Sequence, residues 1–157
     1  MSTGMAIHRI LILCEGNHCR GPMAEALFRS ILPPEIRVES AGLHALEGHP
    51  ANLQVLRLMQ GVGLDLAAHS GRLLTHEMTL AADLILVMDL AQKAWCEQML
   101  PSTLGRVFLL GHWQPRTSQE IQDPFRQGPE AFHRAFEHIH RAVADWPPRL
   151  TQIERSA

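Results

Sequence analysis

The chain has 157 residues, of which 46% are hydrophobic, and a formal net charge of -2 at pH 7. This length predicts one domain spanning residues 1–157 with a substantial core. The near-neutral charge provides no basic field for nucleic acid or an anionic membrane surface, and no apolar run reaches membrane-spanning length. The short apolar segment near the N-terminus does not have a signal-peptide pattern. Three cysteines fit a reducing compartment better than a disulfide framework, so we expect a cytoplasmic protein.

The first predicted strand is the apolar run of residues 7–13, which stops at a turn as a buried parallel strand would. A helix is predicted next, because helix formers follow Pro22, a residue suited to the first helical position. Pro33 and Pro34 end this helix, and residues 36–43 supply a second short strand.

The later elements alternate in the same way. In chain order they are a helix over residues 51–60, a buried strand over 83–88, a helix over 90–100, a fourth strand over 105–111 and a last helix over roughly 128–146. This alternation predicts an α/β fold, a four-stranded parallel sheet with helices on both faces. Ligands of such sheets bind beyond the carboxyl ends of the strands, so the loop after the first strand is the predicted site.

That loop, residues 14–20, has the composition of an anion-binding nest that leads into a helix. Gly16 and Asn17 tolerate left-handed backbone angles, so successive N–H groups can point inward. Arg20 adds a planar, bidentate donor that matches phosphate oxygens. A helix N-terminus and an arginine lower the pKa of a thiol, which predicts that Cys14 is a nucleophilic thiolate in an oxyanion cradle. The alternative is a buried strand-end cysteine with a surface arginine, but the order of strand, turn and helix favours a site.

The stretch "CEGNHCRGPMAEALF" resembles the phosphate-binding loop of the low-molecular-weight protein tyrosine phosphatases. The segments "VESAGL", "GHP", "ADLILVMD", "LLGHW" and "EIQDPF" then follow in that family's order. Two of them, "VESAGL" and "LLGHW", are most similar to bacterial members that accompany autophosphorylating tyrosine kinases of exopolysaccharide export. The resemblance implies a phosphotyrosine protein as substrate, such a kinase as a candidate partner, and no metal or other cofactor.

The resemblance also implies the catalytic roles. Cys14 attacks phosphorus, and Asp123 is the general acid and then the base. Pro124 disfavours helix at Asp123, so the carboxyl can project from a loop, and Phe125 is an aromatic wall for the substrate ring. The implied phosphate-binding residues are Glu15, Gly16, Asn17, His18, Cys19 and Arg20.

Three further positions match residues that brace this loop in the family. Asn17 and Ser40 match a hydrogen-bonded pair, and His69 matches a residue that supports Asn17. Without the resemblance, the first two would be ordinary turn residues and the histidine a structural one.

The sequence departs from the family pattern at several positions. Gly21 stands where relatives usually have serine or threonine, whose hydroxyl would donate to the cysteine sulfur. Its absence predicts a slowed enzyme, mainly in phosphoenzyme hydrolysis. Glu15 replaces an apolar residue at the entrance, where it could favour basic substrate flanks or be a solvated rim charge. Cys14 and Cys19 could form a reversible disulfide, unless Cys19 is merely a small loop residue.

Two other functions share parts of this pattern. An arsenate reductase of the same fold has the Cys-x5-Arg loop but needs two further cysteines close together, whereas Cys96 stands alone. A phosphotyrosine-binding module with decayed catalysis is suggested by Gly21. Retention of Cys14, Arg20 and Asp123 disfavours it.

The ten histidines raise the question of a metal site. His133, His138 and His140 lie in the last predicted helix, but only His133 and His140 share a face. No carboxylate or cysteine completes a ligand set, so we expect no metal.

Overall fold

The computed structural model describes residues 6–152, in which helices surround a central parallel sheet. The strands are β1 (Arg9–Cys14), β2 (Arg37–Gly42), β3 (Leu84–Val87) and β4 (Val107–Leu109). Their order is β2-β1-β3-β4, and all neighbouring pairs are parallel. The register aligns Ile10 of β1 with Val38 on one side and Leu84 on the other. The predicted four-stranded parallel sheet is confirmed.

Helices occupy the connections between these strands. They are α1 (Arg20–Ile31), α2 (Leu53–Gly61), α3 (His76–Ala81), α4 (Leu90–Met99) and α5 (Pro129–Ala144), with 3₁₀ turns at Pro101–Thr103, Arg116–Ser118 and Pro147–Gln152. Within residues 6–152, no helix has the length and apolar character needed to span a membrane.

Two details of the predicted helices are wrong. Pro22 is the third residue of α1, not the first, since the helix begins at Arg20. Proline is tolerated there because the N–H groups of a first helical turn have no partner within the helix. The short helix α3 is not predicted, since six residues are too few to show a helical period. Its start is fixed by Thr75, whose side chain accepts a hydrogen bond from Met78 N.

Each face of the sheet buries its own apolar cluster, because successive residues of a strand point to opposite sides. Ile10 and Ile12 face α1 and α5, and this cluster includes Met23, Phe28, Ile139 and Trp146. Leu11 and Leu13 face the other way, in a cluster with Ile85, Val87, Cys96 and Leu109. Helices therefore cover both faces, as predicted, and the loop after β1 lies at the carboxyl edge of a rigid sheet.

Candidate active site

The loop of residues 14–20 turns from the end of β1 into the first turn of α1. Asn17 has a φ of 55°, a left-handed conformation that costs about 1–3 kcal/mol in a non-glycine residue. This turn lets Asn17 N–H donate to Cys14 Sγ over 3.3 Å. Gly21 N–H is also directed to the sulfur. The sulfur thus lies among N–H groups at the N-terminus of α1.

Three further contacts of Asn17 stabilise this strained turn. Its Nδ2 donates to Ser40 Oγ over 2.8 Å, and His69 Nε2 donates to its carbonyl oxygen over 2.7 Å. Arg72 N–H donates to Asn17 Oδ1 over 2.9 Å, a contact that sequence reasoning missed because a backbone donor leaves no sequence signal. Asn17 is fully buried, so these contacts satisfy polar atoms that water does not reach.

A pocket of about 170 Å³ opens over the sulfur. Its lining residues are Cys14, Glu15, Gly16, His18, Cys19, Arg20, His44, Asp123 and Phe125. The thiol, the guanidinium and the carboxyl singled out in the sequence therefore meet in one pocket. An adjoining pocket of about 410 Å³ shares Gly16, His18, His44 and Phe125 and extends the entrance. A larger cavity of about 650 Å³, lined by residues of α2 and α5, contains no cysteine.

Arg20 is almost completely buried, at 3% exposure, and its guanidinium is fixed by two groups. Nη1 donates to the carbonyl of Ile121 over 2.6 Å, and Nη2 lies 3.7 Å from Asp123 Oδ2. Asp123 is about half exposed and accepts a hydrogen bond at Oδ1 from Phe125 N over 3.1 Å. The carboxyl is thus held beside the guanidinium yet remains open to a substrate.

Burial raises the pKa of the Cys14 thiol. Arg20 and the N–H groups of Gly21 and Asn17 act in the opposite direction, while the Asp123 carboxylate adds to the increase. The predicted lowering of this pKa is therefore wrong, and a thiolate at Cys14 is stabilised only as far as Arg20 and these N–H groups offset its burial. The sequence argument counted the donors that stabilise a thiolate but omitted the larger free energy needed to bury its charge.

Replacement of Gly21 by serine is expected to increase turnover of p-nitrophenyl phosphate roughly tenfold, because the added hydroxyl would donate to the buried sulfur. A Cβ at this position would lie 2.9 Å from Cys14 Sγ, so the sulfur must shift slightly to admit it. Steady-state kcat measures the gain.

The matched control for this change is Gly21→Ala, which adds the same Cβ without a hydroxyl. We expect no gain from alanine. No gain from serine would show that the N–H groups of Asn17 and Gly21 already stabilise the thiolate sufficiently, and an equal gain from both variants would show that the hydroxyl is not its cause.

Phe125 forms one wall of the pocket. Its ring meets His18 edge to face with 5.1 Å between centroids, and the Arg126 guanidinium lies 5.0 Å from its centroid on another side. Burial lowers the pKa of His18, and His49 and His69 act in the same direction, whereas Asp123 opposes them. His18 therefore favours its neutral form, and the two rings together form an aromatic wall of the pocket.

Cys19 is the second buried cysteine of the loop, with its Sγ 3.1 Å from His18 Nδ1. It is a free thiol, as is Cys14. Burial, together with the nearby Cys14 and Asp123, raises the pKa of Cys19 to about 12, although Arg20 opposes this. Cys19 is therefore a much weaker nucleophile than an ordinary cysteine at neutral pH.

Glu15 has two side-chain partners that sequence reasoning missed. His44 Nδ1 donates to Glu15 Oε2 over 2.9 Å, and Gln92 Nε2 donates to Oε1 over 3.2 Å. Gln92 belongs to α4 and His44 follows β2, so no local pattern in the sequence connects them with the loop. Burial acts to raise the pKa of Glu15, but the hydrogen bonds from His44 and Gln92 outweigh it and lower the pKa.

This lowered pKa predicts a pH-dependent contribution of Glu15 to stability. The contribution is present above the usual glutamate value of 4.5 and is lost as the pH falls through the lower value of the folded protein. We expect the wild type to exceed Glu15→Gln in free energy of unfolding near neutral pH, and the difference to vanish in acid. Urea unfolding of both proteins at a series of pH values measures this. A difference that stays constant down to strongly acidic pH would contradict it.

Metal ligation has no support in the part of the chain that the structure describes, where no three side chains of His, Cys, Asp or Glu are grouped to hold an ion. His133 instead pairs with Glu137 over 3.1 Å, and His138 Nε2 donates to Ser118 O over 2.6 Å.

Comparison with known proteins identifies the family of this chain. The family described as low molecular weight phosphotyrosine protein phosphatase matches residues 9–156. The probable low molecular weight protein-tyrosine-phosphatase EpsP of Ralstonia nicotianae is 43% identical over 147 residues, covering 94% of this chain and 99% of that protein.

Solved structures show the same relationship. The tyrosine phosphatase AmsI of Erwinia amylovora superposes with a TM-score of 0.89 at 33% identity, covering 96% of this chain and 98% of that one. The YwlE arginine phosphatase of Geobacillus stearothermophilus superposes with a TM-score of 0.85 at 29% identity, covering 92% and 94% respectively. The chain therefore belongs to the low-molecular-weight protein tyrosine phosphatase family.

Proposed function

We propose that this protein is a protein tyrosine phosphatase, a single domain that hydrolyses phosphotyrosine and small aryl phosphates through a phosphocysteine intermediate. One observation carries the proposal: Cys14, Arg20 and Asp123 line the same pocket of about 170 Å³. A nucleophile, a phosphate-binding cation and a proton donor are the groups that hydrolysis of a phosphate monoester needs.

The first step transfers the phosphoryl group to the protein. The Cys14 thiolate attacks phosphorus while Arg20 and the N–H groups of residues 15–20 hold the equatorial oxygens. The S–P bond forms as the bond from phosphorus to the phenolic oxygen breaks, and Asp123 protonates the departing oxygen. The proton matters because a phenolate of high basicity is a poor leaving group.

The second step regenerates the Cys14 thiolate. Asp123, now a carboxylate, accepts a proton from a water molecule, whose oxygen attacks phosphorus as the S–P bond breaks. Inorganic phosphate leaves. The N–H groups of Asn17 and Gly21 stabilise the departing thiolate, and a hydroxyl at position 21 is missing from this set.

The aromatic wall favours phosphotyrosine over other phosphorylated residues. Phe125 and His18 line the pocket as one aromatic wall, against which the ring of a phosphotyrosine can pack. Because an arginine phosphatase shares this fold, the fold alone does not set the substrate.

The experiment that tests this proposal is stopped-flow hydrolysis of p-nitrophenyl phosphate at mildly acidic pH. We expect a burst of nitrophenol followed by slower turnover, because Gly21 slows breakdown of the phosphoenzyme more than its formation. Steady-state hydrolysis of matched phosphotyrosine and phosphoarginine peptides identifies the substrate. No nitrophenol release above the buffer rate would overturn the enzyme, and preference for phosphoarginine would overturn the tyrosine specificity.

We further propose that the protein acts in the cytoplasm on an autophosphorylating bacterial tyrosine kinase, as the sequence resemblance to exopolysaccharide-associated members suggests. The reversible Cys14–Cys19 disulfide stays a prediction, and the raised pKa of Cys19 works against its rapid formation. For an arsenate reductase, Cys96 would have to relay a disulfide. It is fully buried, and burial, with a smaller effect of Glu97, raises its pKa to about 11.

A further inference from the structure

The Glu15 carboxylate at the entrance of the catalytic pocket accepts hydrogen bonds from two different side chains. Beyond its bonds to His44 and Gln92, its backbone carbonyl accepts from His44 N over 2.9 Å. Gln92 is 2% exposed, and its own Oε1 accepts from Met88 N over 2.7 Å at the end of β3. Because a buried side chain anchored on the sheet fixes this carboxylate, Glu15 is not a freely moving surface charge.

We propose that Glu15 is a specificity-determining residue that favours phosphotyrosine substrates with a basic residue next to the phosphotyrosine. This inference rests on the proposed phosphatase activity. Glu15 and His44 both line the catalytic pocket, and His44 also lines the adjoining pocket of about 410 Å³. A substrate residue that neighbours the phosphotyrosine and enters the adjoining pocket therefore lies close to the Glu15 carboxylate.

The fixed position of the carboxylate increases its effect on a substrate. A mobile glutamate loses side-chain entropy when it pairs with a cation, which is one reason why exposed ion pairs contribute little. Here His44 and Gln92 have already restricted the side chain. Their hydrogen bonds also outweigh burial in lowering the pKa of Glu15, so it stays ionised in mild acid.

Other charged groups at the entrance act on the same substrate. Asp123 is paired with Arg20, whereas the Arg126 cation beside Phe125 attracts acidic flanks. His18 and His49 line the adjoining pocket, and His44 compensates the charge of Glu15 when it is protonated.

The test measures kcat/KM at pH 7.5 for three short phosphotyrosine peptides that carry arginine, alanine or glutamate on both sides of the phosphotyrosine. We expect the ratio of the arginine to the glutamate peptide to be about three- to tenfold higher for the wild type than for Glu15→Gln. Added salt should reduce this difference. The contribution of Arg126 is common to both proteins, so it does not obscure the change.

Two further variants separate charge selection from a structural role. Glu97→Gln, on the same helix as Gln92 but paired with Lys93, removes an equal charge outside the pocket and should keep the wild-type ratio. Glu15→Leu should show the same reduced ratio as Glu15→Gln, so either variant alone tests the inference. A general loss of activity cancels in the ratio.

A wild-type ratio in Glu15→Gln or Glu15→Leu would overturn the inference, as would an equal fall in Glu97→Gln. The alanine peptide and p-nitrophenyl phosphate distinguish this from failure of the proposed function. If the wild type hydrolyses neither, the phosphatase activity itself is overturned and the specificity with it. If both are hydrolysed while the ratio stays constant, only the specificity role is overturned.

Discussion

The Cys14→Ser variant is expected to lose at least about 10⁴-fold in kcat/KM for p-nitrophenyl phosphate, because a serine hydroxyl is far harder to ionise than a thiol. Its fold should persist, since serine is smaller than cysteine and the bracing contacts of Asn17 with Ser40 and His69 do not involve the sulfur. Initial rates measure the loss.

The affinity of Cys14→Ser for inorganic phosphate shows whether the variant has lost only its nucleophile or the whole phosphate-binding site. Arg20 and the N–H groups of the loop remain in Cys14→Ser, so calorimetry with inorganic phosphate should give binding comparable to that of the wild type. Cys96→Ser is the matched control, because this cysteine is buried in the opposite cluster and lines no pocket near the loop. It should keep wild-type kcat/KM per folded molecule. More than about 1% residual activity in Cys14→Ser would place the nucleophile elsewhere.

The sheet and the loop could be predicted from the sequence because their signals are local. Except for β2, each strand is a short apolar run bounded by a turn, and Cys14 follows the first run directly. The φ of 55° at Asn17 also agrees with a local property, the tolerance of asparagine for left-handed angles. Features that depend only on residues adjacent in sequence could therefore be predicted from the residue types alone.

Two of the errors concern features that depend on packing. The pKa of Cys14 was predicted with the wrong sign, because the sequence shows nearby donors but not complete burial. The anchoring of Glu15 could not be predicted, since Gln92 reaches it from a helix that follows a different strand. The helix α3 was missed because it is short and its start depends on a single cap at Thr75.

The Asp123→Asn variant is expected to lose about 10²- to 10⁴-fold in kcat/KM on phenyl phosphate and phosphotyrosine peptides, and much less in kcat/KM on p-nitrophenyl phosphate. A nitrophenolate departs without a proton, whereas the phenolate of tyrosine needs one. Asparagine can still accept the hydrogen bond that Phe125 N donates to Asp123 Oδ1, so the loop conformation should survive. The dependence on leaving group distinguishes lost proton transfer from a displaced loop.

Asp65→Asn provides the matched control for this change. Asp65 is an exposed aspartate whose Oδ1 accepts a hydrogen bond from the N–H of Ala67, two residues further on, as Asp123 does from Phe125. It lies outside the catalytic pocket, so its replacement removes a carboxylate from a similar turn and should leave both substrates unaffected. If Asp123→Asn lowers kcat/KM equally for both kinds of substrate, Asp123 acts in phosphoryl transfer mainly by holding Arg20 in place rather than by protonating the leaving group. If it slows neither, the proton that the leaving phenolate needs must come from another group or from water.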